Sequence, residues 1–219
     1  ELYEDFARVH SKLKVTRNPK SENCTAPLIL NGEGVQLLEI SINGATLGAK
    51  DYEKSDTTLQ LDKLPDQLSL EILVQIEPQN NKALEGLYKS GGNFCTQNEA
   101  EGFRKITYFL DRPDVMTRFT TTLHADKRKY PILLSNGNET ARGDDPDGRH
   151  WVSWRDPFPK PCYLFALVAG NLQTVEGEFI TQSGRKVTLR IFVCQGQEPQ
   201  CLYAMDCLKQ AMRWDEETF

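Results

Sequence analysis

The sequence predicts a mainly β protein that closes on a single α-helix. Two observations carry this. Through roughly the first 130 positions apolar and polar residues alternate, the period of a strand with one face on a core. Only after Pro199 does a spacing of three and four set in, the period of a helix face.

The elements follow in order. Leu38, Ile40 and Ile42 alternate, and Asn43-Gly44 supplies the two positive-φ residues of a type I′ hairpin turn. Leu59 and Leu61 fit a partner strand, closed by Leu64-Pro65-Asp66. Leu68, Leu70, Ile72, Val74 and Ile76 alternate without a miss. Phe119, Thr121, Leu123 and Ala125 repeat the pattern, followed by Pro131-Ile132-Leu133-Leu134 and the turn Ser135-Asn136-Gly137-Asn138. A polar loop from Arg142 to Gly148 precedes His150-Trp151-Val152-Ser153-Trp154, and the apolar run from Tyr163 to Ala169 has the length of a buried strand. Short strands with turn signals between them suggest a sandwich or an open, curved β layer.

Near Gly177 the character changes. Phe179-Ile180-Thr181, a turn at Gln182-Ser183-Gly184-Arg185, and Val187, Leu189, Ile191 and Val193 make a hairpin. Leu202, Met205, Leu208 and Met212 then mark one face of a helix. The expected division is a β domain over residues 1–176 and a hairpin-helix piece over 177–219. The chain opens without Met and stops at Trp214-Asp215-Glu216-Glu217-Thr218-Phe219 without a helix cap, so both ends look cut.

Composition narrows the partners. With 26% charged residues and a net charge of −5, nothing suggests nucleic acid, and Lys127-Arg128-Lys129 reads as a solvated strand end. No apolar run approaches the ~20 residues of a membrane-spanning helix, and no signal peptide opens the chain, so a cytoplasmic setting is expected. Six cysteines without a secretory signal read as reduced, mostly buried thiols. A zinc site on Cys194, Cys201 and Cys207 lacks tight ligand pairs. The glycosylation patterns Asn23-Cys24-Thr25 and Asn138-Glu139-Thr140 read as chance.

The chemistry-bearing motifs are mostly missing: no H-E-x-x-H, no phosphate-binding glycine loop, no G-x-S-x-G. Asp144-Asp145-Pro146-Asp147-Gly148 lacks the ligand spacing of a calcium loop. Asp111-Arg112-Pro113-Asp114 reads as the start of a short helical turn rather than a metal site. Residues 93–115 stand apart, crowding polar, acidic and aromatic side chains together. Glu99 and Glu101 could be an acid and a base, but no apolar surroundings separate their roles. Composition and spacing alone stop short of a function.

Longer motifs go further. Ala83-Leu84-Glu85-Gly86-Leu87-Tyr88-Lys89-Ser90-Gly91, Cys95-Thr96-Gln97-Asn98-Glu99-Ala100-Glu101-Gly102-Phe103-Arg104 and Leu110-Asp111-Arg112-Pro113-Asp114-Val115 resemble the amino-terminal domain of the M1 family of zinc metallopeptidases. The likeness continues through Tyr130-Pro131-Ile132-Leu133-Leu134, through Trp154-Arg155-Asp156-Pro157-Phe158-Pro159, and into Met212-Arg213-Trp214-Asp215-Glu216. It covers essentially everything past Pro27.

The resemblance implies a curved, saddle-like β domain, with the hairpin and helix as the first elements of a thermolysin-like catalytic domain. It implies that the family's G-A-M-E-N loop and zinc-binding H-E-x-x-H helix lie beyond this chain. Zinc is then expected in the parent enzyme and no cofactor in the chain itself, which should be inactive alone. The missing catalytic domain would pack on this chain. Gln97 and Glu99 match the glutamine and glutamate with which the family holds the free α-amino group of a peptide substrate. At i and i+2 of an extended segment both would point the same way. Glu101 is expected in a salt bridge with Arg104, and Asn98 stands where the family often has cysteine, beside the first side-chain pocket. The competing reading is a stand-alone, non-catalytic β-rich binding module.

Overall fold

The first sheet is built around β7 (Gln67–Ile76), whose Leu68, Leu70, Ile72, Val74 and Ile76 are all buried. Strict alternation puts these five on one face, and the strand is long enough to be paired on both edges. The computed structural model, which describes residues 1–20 and 25–219, pairs β7 antiparallel with β1 (Ala7–Thr16) and β3 (Gln36–Ile42). The readings that rest on Asn23 and Cys24 lie outside the described residues. From β3 the chain turns over Asn43 and Gly44, at φ 51° and 82°, into the two-residue β4 (Ala45–Thr46), as the Asn-Gly pair requires.

Two expectations about this region change. Leu38 does not share a face with Ile40 and Ile42. A bulge between Leu37 and Glu39 shifts the phase, so Leu37 packs on the core and Leu38 is exposed. Leu59 and Leu61 are buried on β6 (Thr58–Leu61), which joins a separate sheet between β2 (Leu28–Asn31) and β5 (Glu53–Lys54).

A third sheet orders β11 (Ile132–Ser135), β14 (Leu167–Gly170), β9 (Asn93–Gln97) and β8 (Gly86–Ser90). A fourth orders β10 (Thr120–Asp126), β13 (Arg149–Arg155) and β12 (Asn138–Asp144). The apolar run from Tyr163 is not one buried strand: Cys162–Leu164 forms a 3-10 turn, Leu164 is exposed, and pairing begins only at Leu167. Asn136 explains the break, because its side chain donates to Leu164 O (3.1 Å) and accepts from Ala166 N (2.6 Å), taking backbone groups that a ladder would use.

The described residues divide into two compact units, Glu1–Ala169 and Gly170–Phe219. In the second, β15 (Leu172–Ile180) and β16 (Lys186–Cys194) form the hairpin, and α1 (Cys201–Thr218) is the helix. β15 thus starts upstream of Gly177. Phe179, Leu189 and Met205 form the buried centre of this unit, and Gly177 lies against Met205, where a Cβ would come within 2.6 Å of Sδ and the methionine side chain would have to shift. The buried face of α1 is not the one expected. Cys201 and Met205 are buried and Met212 packs beside them, while Leu202 and Leu208 are exposed. Spacings of four, then seven, follow the 3.6-residue turn better than the stripe read from the leucines. Among the described residues, Cys162 and Cys201 are buried, Cys95 is half-buried, and Cys194 and Cys207 are exposed, so these thiols are less buried than expected.

Candidate functional site

The polar segment begins in the β8–β9 hairpin, which turns over Gly91 and Gly92 at φ 56° and 84°. Phe94, fully buried on β9, packs against Tyr130 at 5.0 Å between ring centroids. β9 also pairs with β14 through Val168 and Ala169, so the strand leading to the site is held on both edges.

The strand ends at Gln97, and an exposed–buried–exposed pattern follows: Gln97 and Glu99 are at the surface and Asn98 between them is 2% exposed. Gln97 Nε2 donates to the Glu99 backbone carbonyl at 3.2 Å. With the amide nitrogen engaged there, its oxygen remains the acceptor end. Asn98 Nδ2 donates to Phe165 O at 2.7 Å, while Asn98 Oδ1 is buried without a protein partner. The Glu99–Ala100 peptide bond is cis.

After Glu99 the chain closes tightly. Gly102 N donates to Asn98 O at 2.8 Å, and a Cβ on Gly102 would sit 2.5 Å from Gln97 O and 2.8 Å from Gly86 N. Glycine is therefore demanded by close approach of three backbone segments. Phe103, on a 3-10 turn, meets Phe109, Phe165 and Phe119 edge-on at 5.0, 5.3 and 5.9 Å, a wall of rings beneath the segment. Glu101 pairs with Arg104 at 3.1 Å, as the sequence suggested.

Asp111 differs from its expected place in a helical turn. Only a β-turn forms there, closed by Val115 N donating to Arg112 O. Asp114 is exposed and forks onto its neighbour Arg112, while Asp111 is buried. Asp111 Oδ2 accepts from Arg104 N (3.0 Å) and Nε (2.9 Å), and its Oδ1 accepts from Cys162 Sγ at 3.0 Å. Burial, and then the bond to Asp111, push the Cys162 thiol well above its ordinary range, so it stays a protonated donor. Burial works against the charge on Arg104, but Asp111 outweighs it and holds the guanidinium firmly protonated. The roles of Asp111 and Cys162 were missed in the sequence; the Asp-Arg-Pro-Asp run is acidic enough to notice but local pattern does not say which acid turns inward.

Glu99 and Glu101 are both solvent-exposed, and Glu101 is committed to Arg104, so the pair lacks the apolar surroundings that an acid and a base would need. A concavity of about 350 Å³ lined by Glu33, Gln75, Glu77, Asn81, Leu87 and Lys105 includes neither Gln97 nor Glu99. Among the described residues, no three His, Cys, Asp or Glu side chains lie close enough to hold a metal ion. No helix among them is long and apolar enough to cross a membrane.

Residues 4–164 match the family model of the peptidase M1 N-terminal domain. The chain is 51% identical to aminopeptidase N of Caulobacter vibrioides over 219 residues, all of this chain and 25% of that protein. It is 53% identical to aminopeptidase N of Escherichia coli over 194 residues, 89% of this chain and 22% of that one. It thus spans about a quarter of the length of these curated relatives. The crystal structure of Legionella pneumophila aminopeptidase A in complex with aspartic acid superposes with a TM-score of 0.92 at 36% identity, covering 97% of this chain and 25% of that one. An M1 zinc metallopeptidase from Deinococcus radiodurans, at 17% identity and a TM-score of 0.71 over 88% of this chain and 44% of that one, shares the fold.

Proposed function

The chain belongs to the M1 peptidases, as their amino-terminal domain, and from that premise we propose that Gln97 and Glu99 hold the free α-amino group of a peptide in a zinc-dependent aminopeptidase. The observation that carries this reading is the surface pair flanking a buried, anchored Asn98. A peptide α-amino group has a pKa of about 8 and is mostly protonated at neutral pH. A carboxylate and an amide oxygen are acceptors suited to an ammonium, and the bond to Glu99 is charge-assisted. A blocked amino terminus loses both the charge and the donors, which selects for exopeptidase action.

The chain offers no zinc site among its described residues, so the metal and the hydrolytic step are assigned to the remainder of a longer protein. Alone, this chain would hold peptide weakly and leave it intact. That remainder is also the partner we assign to the exposed apolar face of α1, where Leu202, Tyr203 and Trp214 are uncovered. The unpaired thiols of Cys95, Cys162, Cys201 and Cys207 support a cytoplasmic setting.

The test is Glu99→Ala in the full-length protein. Losing a hydrogen bond to a charged group should raise KM for unblocked peptides by roughly tenfold to a hundredfold, with zinc content unchanged. An unaltered KM removes the anchoring role.

A further inference from the structure

Residues 97–104 are enclosed by a closed circuit of polar bonds. Asn98 Nδ2 donates to Phe165 O at 2.7 Å, and Phe165 N donates to Cys162 O at 3.0 Å. Cys162 Sγ donates to Asp111 Oδ1 at 3.0 Å, and Asp111 Oδ2 accepts from Arg104 N and Nε. Arg104 returns to the segment through Glu101, and Gly102 N closes on Asn98 O at 2.8 Å. Three side chains of the circuit, Asn98, Asp111 and Cys162, are buried, so water does not compete for these bonds.

Gln97 is the last residue of β9, and a strand end released from its ladder has no backbone partners to set its direction. The circuit supplies them from far along the chain: Asn98 to Phe165 spans 67 positions, and Asp111 to Cys162 spans 51. The two exposed side chains have little else to orient them: among the described residues, the Gln97 side chain bonds only Glu99 O. We infer that Asn98 and Asp111 are positioning residues, fixing the backbone from which Gln97 and Glu99 present their oxygens to the substrate ammonium; the inference rests on the clamp reading above. Both are buried, and each acts through the segment it anchors.

The experiment uses the full-length protein carrying Asn98→Ala or Asp111→Asn, each alone and combined with Glu99→Ala. Thermal unfolding identifies variants that fold, and Asp111→Asn, which conserves volume, carries the test if Asn98→Ala does not fold. Positioning predicts KM for unblocked peptides up by about tenfold with kcat within about twofold, and less than about twofold further loss in the Glu99→Ala background. A purely structural role predicts additive losses in both backgrounds, with kcat falling too, and overturns the inference. So does a folded variant with wild-type KM when Glu99→Ala alone raises it, an outcome that leaves the clamp standing. If Glu99→Ala itself leaves KM unchanged, the clamp reading and the positioning inference both fall.

Discussion

In Glu1–Ala169 the large apolar side chains run in one continuous core from Leu2 to Ala169, whereas Gly170–Phe219 gathers around Phe179, Leu189 and Met205. The first unit buries one whole face of β7 and satisfies even buried acids such as Asp111. The second leaves Leu202, Tyr203 and Trp214 of its 18-residue helix, and Phe219 just after it, at 60% exposure or more. Buried apolar area stabilises by about 25 cal/mol per Å², so a unit with few covered side chains has little of this term to set against chain entropy. The contrast teaches that the amino-terminal unit carries its own stability and can hold a site rigidly, while the hairpin and helix present a surface suited to a partner.

Three changes would break or sharpen that contrast. The largest effect is expected from Phe94→Ala, which empties a fully buried site beneath the strand that leads to Gln97. It should destabilise the amino-terminal unit by about 3–5 kcal/mol, read by denaturant unfolding; a loss below about 1 kcal/mol would show that the core there collapses easily.

A smaller, pH-dependent effect is expected at Asp156. The hydrogen bond from Lys160, opposed by partial burial, holds its carboxyl below the usual 3.8. A lowered folded pKa means that this contribution is fully present above the unfolded value and is lost as pH falls through the folded one. Asp156→Asn should therefore lower Tm at neutral pH and flatten its decline below about pH 4. An acid limb parallel to wild type would show that the pair contributes nothing.

The smallest effect on stability belongs to the exposed helix face. Trp214→Glu should change unfolding free energy by no more than about 0.5 kcal/mol, because the ring is 60% exposed. It should nonetheless weaken self-association of this chain in sedimentation experiments, where the unmodified chain is expected to associate as concentration rises. A monomer throughout the series would remove the partner-surface reading of α1.

Much of the fold could be read locally. The five alternating apolar residues of β7, the Asn43-Gly44 turn and the Glu101–Arg104 pair all depend on neighbours within a few positions, and each is where local rules put it. Gln97 and Glu99 were named by motif, and the structure sets them at the surface around Asn98. What local pattern misjudged has a common cause. One extra residue in β3 turned Leu38 outward, Asn136 cut short the strand expected from Tyr163, and Met205 rather than Leu202 met the hairpin. In each case the competing partner is brought in from elsewhere in the chain.

By itself, then, the amino-acid sequence determined a β-rich chain with a closing helix, the turns that glycine and asparagine permit, and the motifs of its family. Period and dihedral preference are properties of adjacent residues and need no distant contact. Only the tertiary structure decided that Asp111 is buried on Arg104 and Cys162, that Asn98 is fastened to Phe165, and that Gly102 must lack a side chain. A buried polar group is tolerable only where a partner meets it, and these partners come together only when strands and turns distant in sequence have packed.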